Sequence, residues 1–67
     1  MLKDKNGKAI TAGCTIMCVN DVRYGDTTTV YEQNGTLMLS DCHNPRNKAP
    51  LADMPQFNGC MRDFVLV

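Results

Sequence analysis

The chain carries no net charge: seven lysines and arginines stand against seven aspartates and glutamates in 67 residues. Such a balance neither draws the whole molecule to nucleic acid nor repels it, so any attraction has to come from a local patch. No apolar run approaches the roughly 18 residues a membrane helix needs, and the first residues are charged where a secretory signal is apolar. The expected address is the cytoplasm, and there Cys14, Cys18, Cys42 and Cys60 are expected as thiols. Also missing are a glycine-rich phosphate loop between strand and helix, an internal repeat, a linker and any sustained 3.6-residue periodicity. Those absences argue against nucleotide hydrolysis, a second domain and a core helix.

What is present fits one small domain over residues 1–67, read as a whole protein, close to the size at which a single apolar core only just offsets the entropy of ordering the chain. A deep catalytic cleft is hard to build here, because the residues that would line it are needed in the core. The expectation is a non-enzymatic protein without a cofactor.

Turn residues punctuate the chain. Leu2 to Ile10 reads as a loose hairpin or arm, with Asn6-Gly7 favoured for a two-residue turn of positive φ. Gly13 gives a second permissive position before a first strand, Cys14 to Val19, in which Ile16 and Cys18 face inward. Asn20-Asp21 and Tyr24-Gly25-Asp26 supply turn chemistry around a loop that holds Arg23. The β-branched and aromatic block Thr27 to Tyr31 suits a pleated surface and reads as the second strand. Asn34-Gly35 then marks a hairpin into a third strand that buries Leu37 and Leu39. A polar loop spans Cys42 to Pro50, and Pro50 to Pro55 has room for one helical turn. Gly59 permits a bend before a closing strand, Cys60 to Val67, with Phe64 and Leu66 on one face.

This pattern describes an all-β fold: a small, highly bent antiparallel sheet or barrel of the Src-homology-3-like kind, with five or so short strands and one helical turn before the last.

The stretch Leu2-Lys3-Asp4-Lys5-Asn6-Gly7-Lys8-Ala9-Ile10 with Gly13 resembles the start of the YopX-like proteins of phages and integrated elements. Val30-Tyr31-Glu32 with Asn34-Gly35 and Leu37-Met38-Leu39 is similar to that family's next hairpin, and Pro50 to Met54 to its segment before the last strand. Cys14 stands where the family pattern has aspartate, and Asn58-Gly59-Cys60 only loosely echoes its ending. The resemblance implies a β-rich fold and a phage or mobile-element origin, and it carries over no catalytic residue.

Several constellations invite chemistry. Cys14, Cys18, Cys42, His43 and Cys60 have the donor types of a zinc site, but Cys14 and Cys18 lie four residues apart on one strand, about 13 Å when extended, too far to share an ion. No metal ligand is therefore assigned, and a zinc-stapled module is the third-ranked reading. Cys42-His43 pairs a thiol with a base but lacks an orienting third group. Lys3, Lys5, Lys8, Arg46 and Lys48, with Tyr24 or Tyr31 as stacking faces, make up a possible nucleic-acid strip, diluted by Asp4, Asp21, Asp26 and Asp41.

The favoured expectation is an unknown protein partner met through loop residues Arg23, Tyr24, His43, Asn44 and Arg46, since arginine and tyrosine often anchor interfaces. The strand Phe64 to Val67 is a second possibility, as an edge open to another sheet or to its own copy. Together these give an accessory binding protein of a phage or integrated element, with nucleic-acid binding as the alternative.

Overall fold

A computed structural model describes residues 1–41 and 43–67. Among the described residues the fold is all-β, with eight short strands paired antiparallel: β1 (Thr15–Cys18), β2 (Thr27–Thr29), β3 (Tyr31–Gln33), β4 (Thr36–Ser40), β5 (Lys48–Pro50), β6 (Gln56–Phe57), β7 (Cys60–Met61) and β8 (Phe64–Leu66). They form two three-stranded sheets, ordered β2-β1-β8 and β3-β4-β5, and the hairpin β6-β7. A 3-10 turn, Leu51–Asp53, follows Pro50.

The expected second strand is two strands. Thr27 to Tyr31 breaks at Val30, which is fully buried and passes the chain from one sheet to the other. The bend has a local cause. Gly13 N–H donates to the Val30 carbonyl while Val30 N–H donates to the Cys14 carbonyl, so two residues stand opposite one in a glycine bulge. Gly25 and Asp26 form the same device opposite Cys18. Both glycines have φ above 90°, a region that costs a side-chain-bearing residue about 1–2 kcal/mol. The β1–β2 ladder is thus bracketed by bulges that bend it at each end.

The core is Ile10, Ile16, Val30, Leu51 and Met61, with Leu2, Leu37, Leu39, Met54, Phe64 and Leu66 packed around it. Cys18 is buried as well, so the expected inward pair on β1 holds, and so do Leu37 with Leu39 and Phe64 with Leu66. Asn34-Gly35 closes β3-β4, both residues at positive φ.

Other expectations need correcting. Asn6-Gly7 is not a two-residue turn: Gly7 N–H donates to the Asp4 carbonyl and Asp4 N–H to the Lys8 carbonyl, making a three-residue loop in which only Gly7 has positive φ. The end of the expected 42–50 loop is β5, paired to β4. The closing strand divides into β7 and β8 at Arg62-Asp63. Asn58-Gly59, with the same φ values as Asn34-Gly35, makes the hairpin β6-β7.

The largest correction concerns Asp4, which is not a solvated surface charge but 1% exposed. Its Oδ1 accepts the N–H groups of Asn6 (3.0 Å) and Lys8 (2.8 Å), and its Oδ2 accepts that of Leu66 (2.9 Å). One carboxylate both shapes the N-terminal turn and fastens it to β8. Burial pushes its pKa up, but the Leu66, Lys8 and Asn6 donors and the Lys8 charge outweigh that and hold it below the ordinary value.

Candidate functional site

The two sheets share the bent β2-β3 chain, and β4 of the second also packs against β2 of the first. A cleft of about 420 Å³ opens there. Its apolar lining comes from Cys18 on β1, Leu39 on β4, Ala49 on β5, Phe64 on β8 and the Met54-Pro55 segment after the 3-10 turn. The rest of the lining is polar or charged: Thr27, Thr28, Ser40 and Lys48, with Asn20, Arg23, Asp26, Asp41, Asn47 and Asp63.

Two side-chain bridges join the loops beside this cleft. The Arg23 guanidinium donates to Asp41 Oδ2 at 3.0 Å, and His43 Nε2 lies 3.2 Å from Asp26 Oδ2. Local chemistry sets up both. Asn20 Oδ1 accepts the N–H groups of Val22 and Arg23, rounding one loop, and Asp41 Oδ1 accepts that of His43, rounding the other. The His43 N–H, followed by the Arg23 side chain, holds the Asp41 carboxyl below its ordinary value. Arg62 meets Asp63 through two 3.0 Å hydrogen bonds, which lower the Asp63 pKa with further help from Asn20 and Lys5.

The residues expected to meet a protein are therefore gathered on two bridged loops. Arg23 and His43 make the bridges, and Tyr24 on the first loop is 70% exposed beside Val22 at 89%. Asn44 shapes the second loop by accepting the Arg46 N–H at its side chain (3.3 Å) and the Asn47 N–H at its carbonyl (2.9 Å), and Arg46 is exposed.

The basic residues are placed differently. Lys3, Lys5 and Lys8 belong to the N-terminal hairpin, which docks on 60–66 through the bonds Met61 N–H to Lys3 carbonyl and Lys5 N–H to Phe64 carbonyl. Lys5 and Arg62 both lie beside Asp63, which dilutes the positive field there. Lys48 stands 6.0 Å over the Tyr31 ring, a cation–π contact that occupies one face of a proposed stacking platform. The Tyr31 hydroxyl is buried without a hydrogen-bond partner among the described residues.

Cys14, Cys18 and Cys60 are free thiols. Among the described residues no three His, Cys, Asp or Glu side chains converge on one point. Cys42, needed for the thiol–base pair and for the largest zinc set, lies outside the described residues. Cys14 precedes β1 and is half-buried, with Sγ 3.2 Å from Thr11 Oγ1; the Thr11 side chain and backbone lower its pKa.

The outer edge of β8 is occupied. Phe64 carbonyl accepts from Lys5 and Leu66 N–H donates to Asp4, so two of the backbone groups on that side already have partners. Sequence reading missed both the cleft and the bonds on the outer side of β8 because each joins residues far apart in the chain, Cys18, Leu39 and Phe64 in the cleft and Asp4 with Leu66 on β8. No family model, curated protein or solved structure matches this chain.

Proposed function

We propose that the chain is a non-enzymatic binding module that takes hold of a partner protein at the cleft between its two sheets. The observation that carries this reading is the cleft itself, an apolar lining flanked by the bridged loops that present Arg23, Tyr24 and His43. Anchor side chains of a partner protein are commonly seated in well-packed pockets of this kind. Val22 and Tyr24 are exposed on the same loop as Arg23. A role accessory to a phage or integrated element rests on the YopX-like resemblance alone.

Selection from a library of random 12-residue peptides tests the proposal. Peptides are expected to be retained by the protein and to lose about tenfold in affinity on Tyr24→Ala, the scale of an interface anchor. Failure to retain any peptide, with an oligonucleotide held instead in a steeply salt-dependent manner, would favour the nucleic-acid alternative carried by Lys3, Lys5, Lys8, Arg46 and Lys48.

A further inference from the structure

The N-terminal hairpin and the hairpin β6-β7 join side by side. Phe57 pairs with Cys60, Cys60 lies opposite Lys3 in a parallel bridge, and Lys3 lies opposite Ala9 in an antiparallel one, so these four residues form a single cross-strand row. Residues opposite one another in a ladder put their side chains on the same face. Asp4 and Met61, next in the chain to Lys3 and Cys60, are buried, so the row lies on the outer face. Phe57 is 70% exposed there, and Lys3 and Ala9 are exposed as well. A recess of about 220 Å³ brings two more cations to this face, since Lys5 and Arg62 line it with Phe57, Cys60 and Met61.

Charge is spread unevenly over the molecule. The segments that build this face, residues 2–10 and 56–63, hold Lys3, Lys5, Lys8 and Arg62 against Asp4 and Asp63. Both carboxylates are engaged: Asp4 is buried on three backbone N–H groups, and Asp63 is held by Arg62 through two hydrogen bonds. Lys3, Lys5 and Lys8 are exposed and form no ion pair among the described residues. The remainder of the chain holds Arg23, Arg46 and Lys48 against Asp21, Asp26, Glu32, Asp41 and Asp53. A chain without net charge thus has a surplus of cations at one face, and an exposed aromatic ring stands among them.

We propose that this face binds single-stranded nucleic acid, with a base stacked on the Phe57 ring and adjoining phosphates met by Lys3 and Lys5. Single strands are held without regard to sequence by an aromatic face set beside cations. Two ladder steps, about 10 Å, separate the backbone of Lys3 from that of Phe57, near enough for a base on the ring and its own phosphate on the ammonium groups. Other occupants fit less well. A duplex keeps its bases stacked on one another, an acidic peptide leaves the ring unstacked, and a bilayer gains the burial of one ring only. A second copy of this chain would set Lys3 and Lys5 against their own like. The site keeps two lysines of the strip read from the sequence and replaces its tyrosines with Phe57. None of its residues lines the cleft, so it stands or falls independently of the binding-module reading.

Fluorescence anisotropy of a labelled 12-nucleotide oligothymidylate, over a range of salt concentrations, tests this. Phe57→Ala is expected to weaken binding at least about tenfold, the scale of one stacked base. Lys3→Gln combined with Lys5→Gln is expected to reduce the slope of log affinity against log salt by about 1.4, at about 0.7 for each phosphate contact on a single strand. All three side chains are exposed, so the melting temperature is expected to stay within about 3 °C of the native chain's. A duplex of the same length and a 12-residue polyglutamate are each expected to bind at least about tenfold more weakly. Oligothymidylate binding that Phe57→Ala leaves intact, or that the duplex or polyglutamate matches, would overturn the proposal. Absence of oligothymidylate binding, or capture by phosphatidylserine vesicles in its place, would overturn it too. Whether the library peptides are retained bears on the cleft and not on this face.

Discussion

Replacing Asp4 by alanine is expected to remove about 3 kcal/mol or more of stability, measured by urea unfolding. The carboxylate is 1% exposed and accepts three backbone N–H groups, from Asn6, Lys8 and Leu66. Hydrogen bonds to a charged acceptor contribute about 1.5–3 kcal/mol each, and a buried donor left alone costs more than a bond never made. A chain of this length has about 3–10 kcal/mol in all, so the variant sits near the folding threshold. Asp4→Asn keeps the shape and one acceptor oxygen but turns an N–H toward one of the donors, with an expected loss of about 2 kcal/mol.

Acid should reveal the same contact. The folded-state pKa of Asp4 lies below its ordinary value, so the unfolded chain binds the proton more tightly. Its contribution is complete above the unfolded value of about 4 and is lost as pH falls through the folded one. Asp41 and Asp63 shift in the same direction, but their arginine partners are more than half exposed and add little. Between pH 5 and pH 2, roughly the range of these carboxyl titrations, Asp4→Asn is expected to lose stability less steeply than the native chain. Equal slopes would show that Asp4 is not the group being titrated.

Leu51→Ala is the second large effect, an expected loss of about 2–4 kcal/mol in the same assay. Leu51 is fully buried and begins the 3-10 turn, which Pro50 enters with its fixed φ and Met54 N–H closes on the Leu51 carbonyl. That turn packs against β4 and carries the chain into Met54-Pro55 at the cleft. The backbone on either side is held by prolines, so the cavity left by alanine has little freedom to collapse. A loss under about 1 kcal/mol would mean that the turn does not plug the core.

The sequence was informative wherever structure is set by neighbours. Asn34-Gly35, the Pro50–Pro55 turn and the inward parity of Ile16 with Cys18 all depend on residues close in the chain. Asn58-Gly59 offered the same signal as Asn34-Gly35, but only two strand residues flank it on each side, too few for alternation to show. Asp4 could not be read. Its turn is local, but its partner Leu66 lies 62 residues away, and nothing in a run of lysines and aspartates marks the one carboxylate that is buried. Val30 was hidden by its surroundings, since a β-branched block looks continuous unless the glycine bulge opposite it is known. Of the candidate site, the loop residues Arg23 and His43 were legible from their types. The hollow they flank was not, because its lining comes from residues of both sheets and the Met54-Pro55 segment, far apart in the chain.

The central claim is that this hollow is the surface that holds a partner. Ala49 is half-buried, lines the cleft from edge strand β5 and pairs with Leu39 through its backbone, so a longer side chain there can fill the hollow without breaking the ladder. The deciding measurement is the affinity of the library-selected peptides for Ala49→Arg alongside its melting temperature. The account predicts binding weakened about tenfold or more with a melting temperature within about 3 °C of the native chain. Undiminished affinity in the folded variant would contradict it.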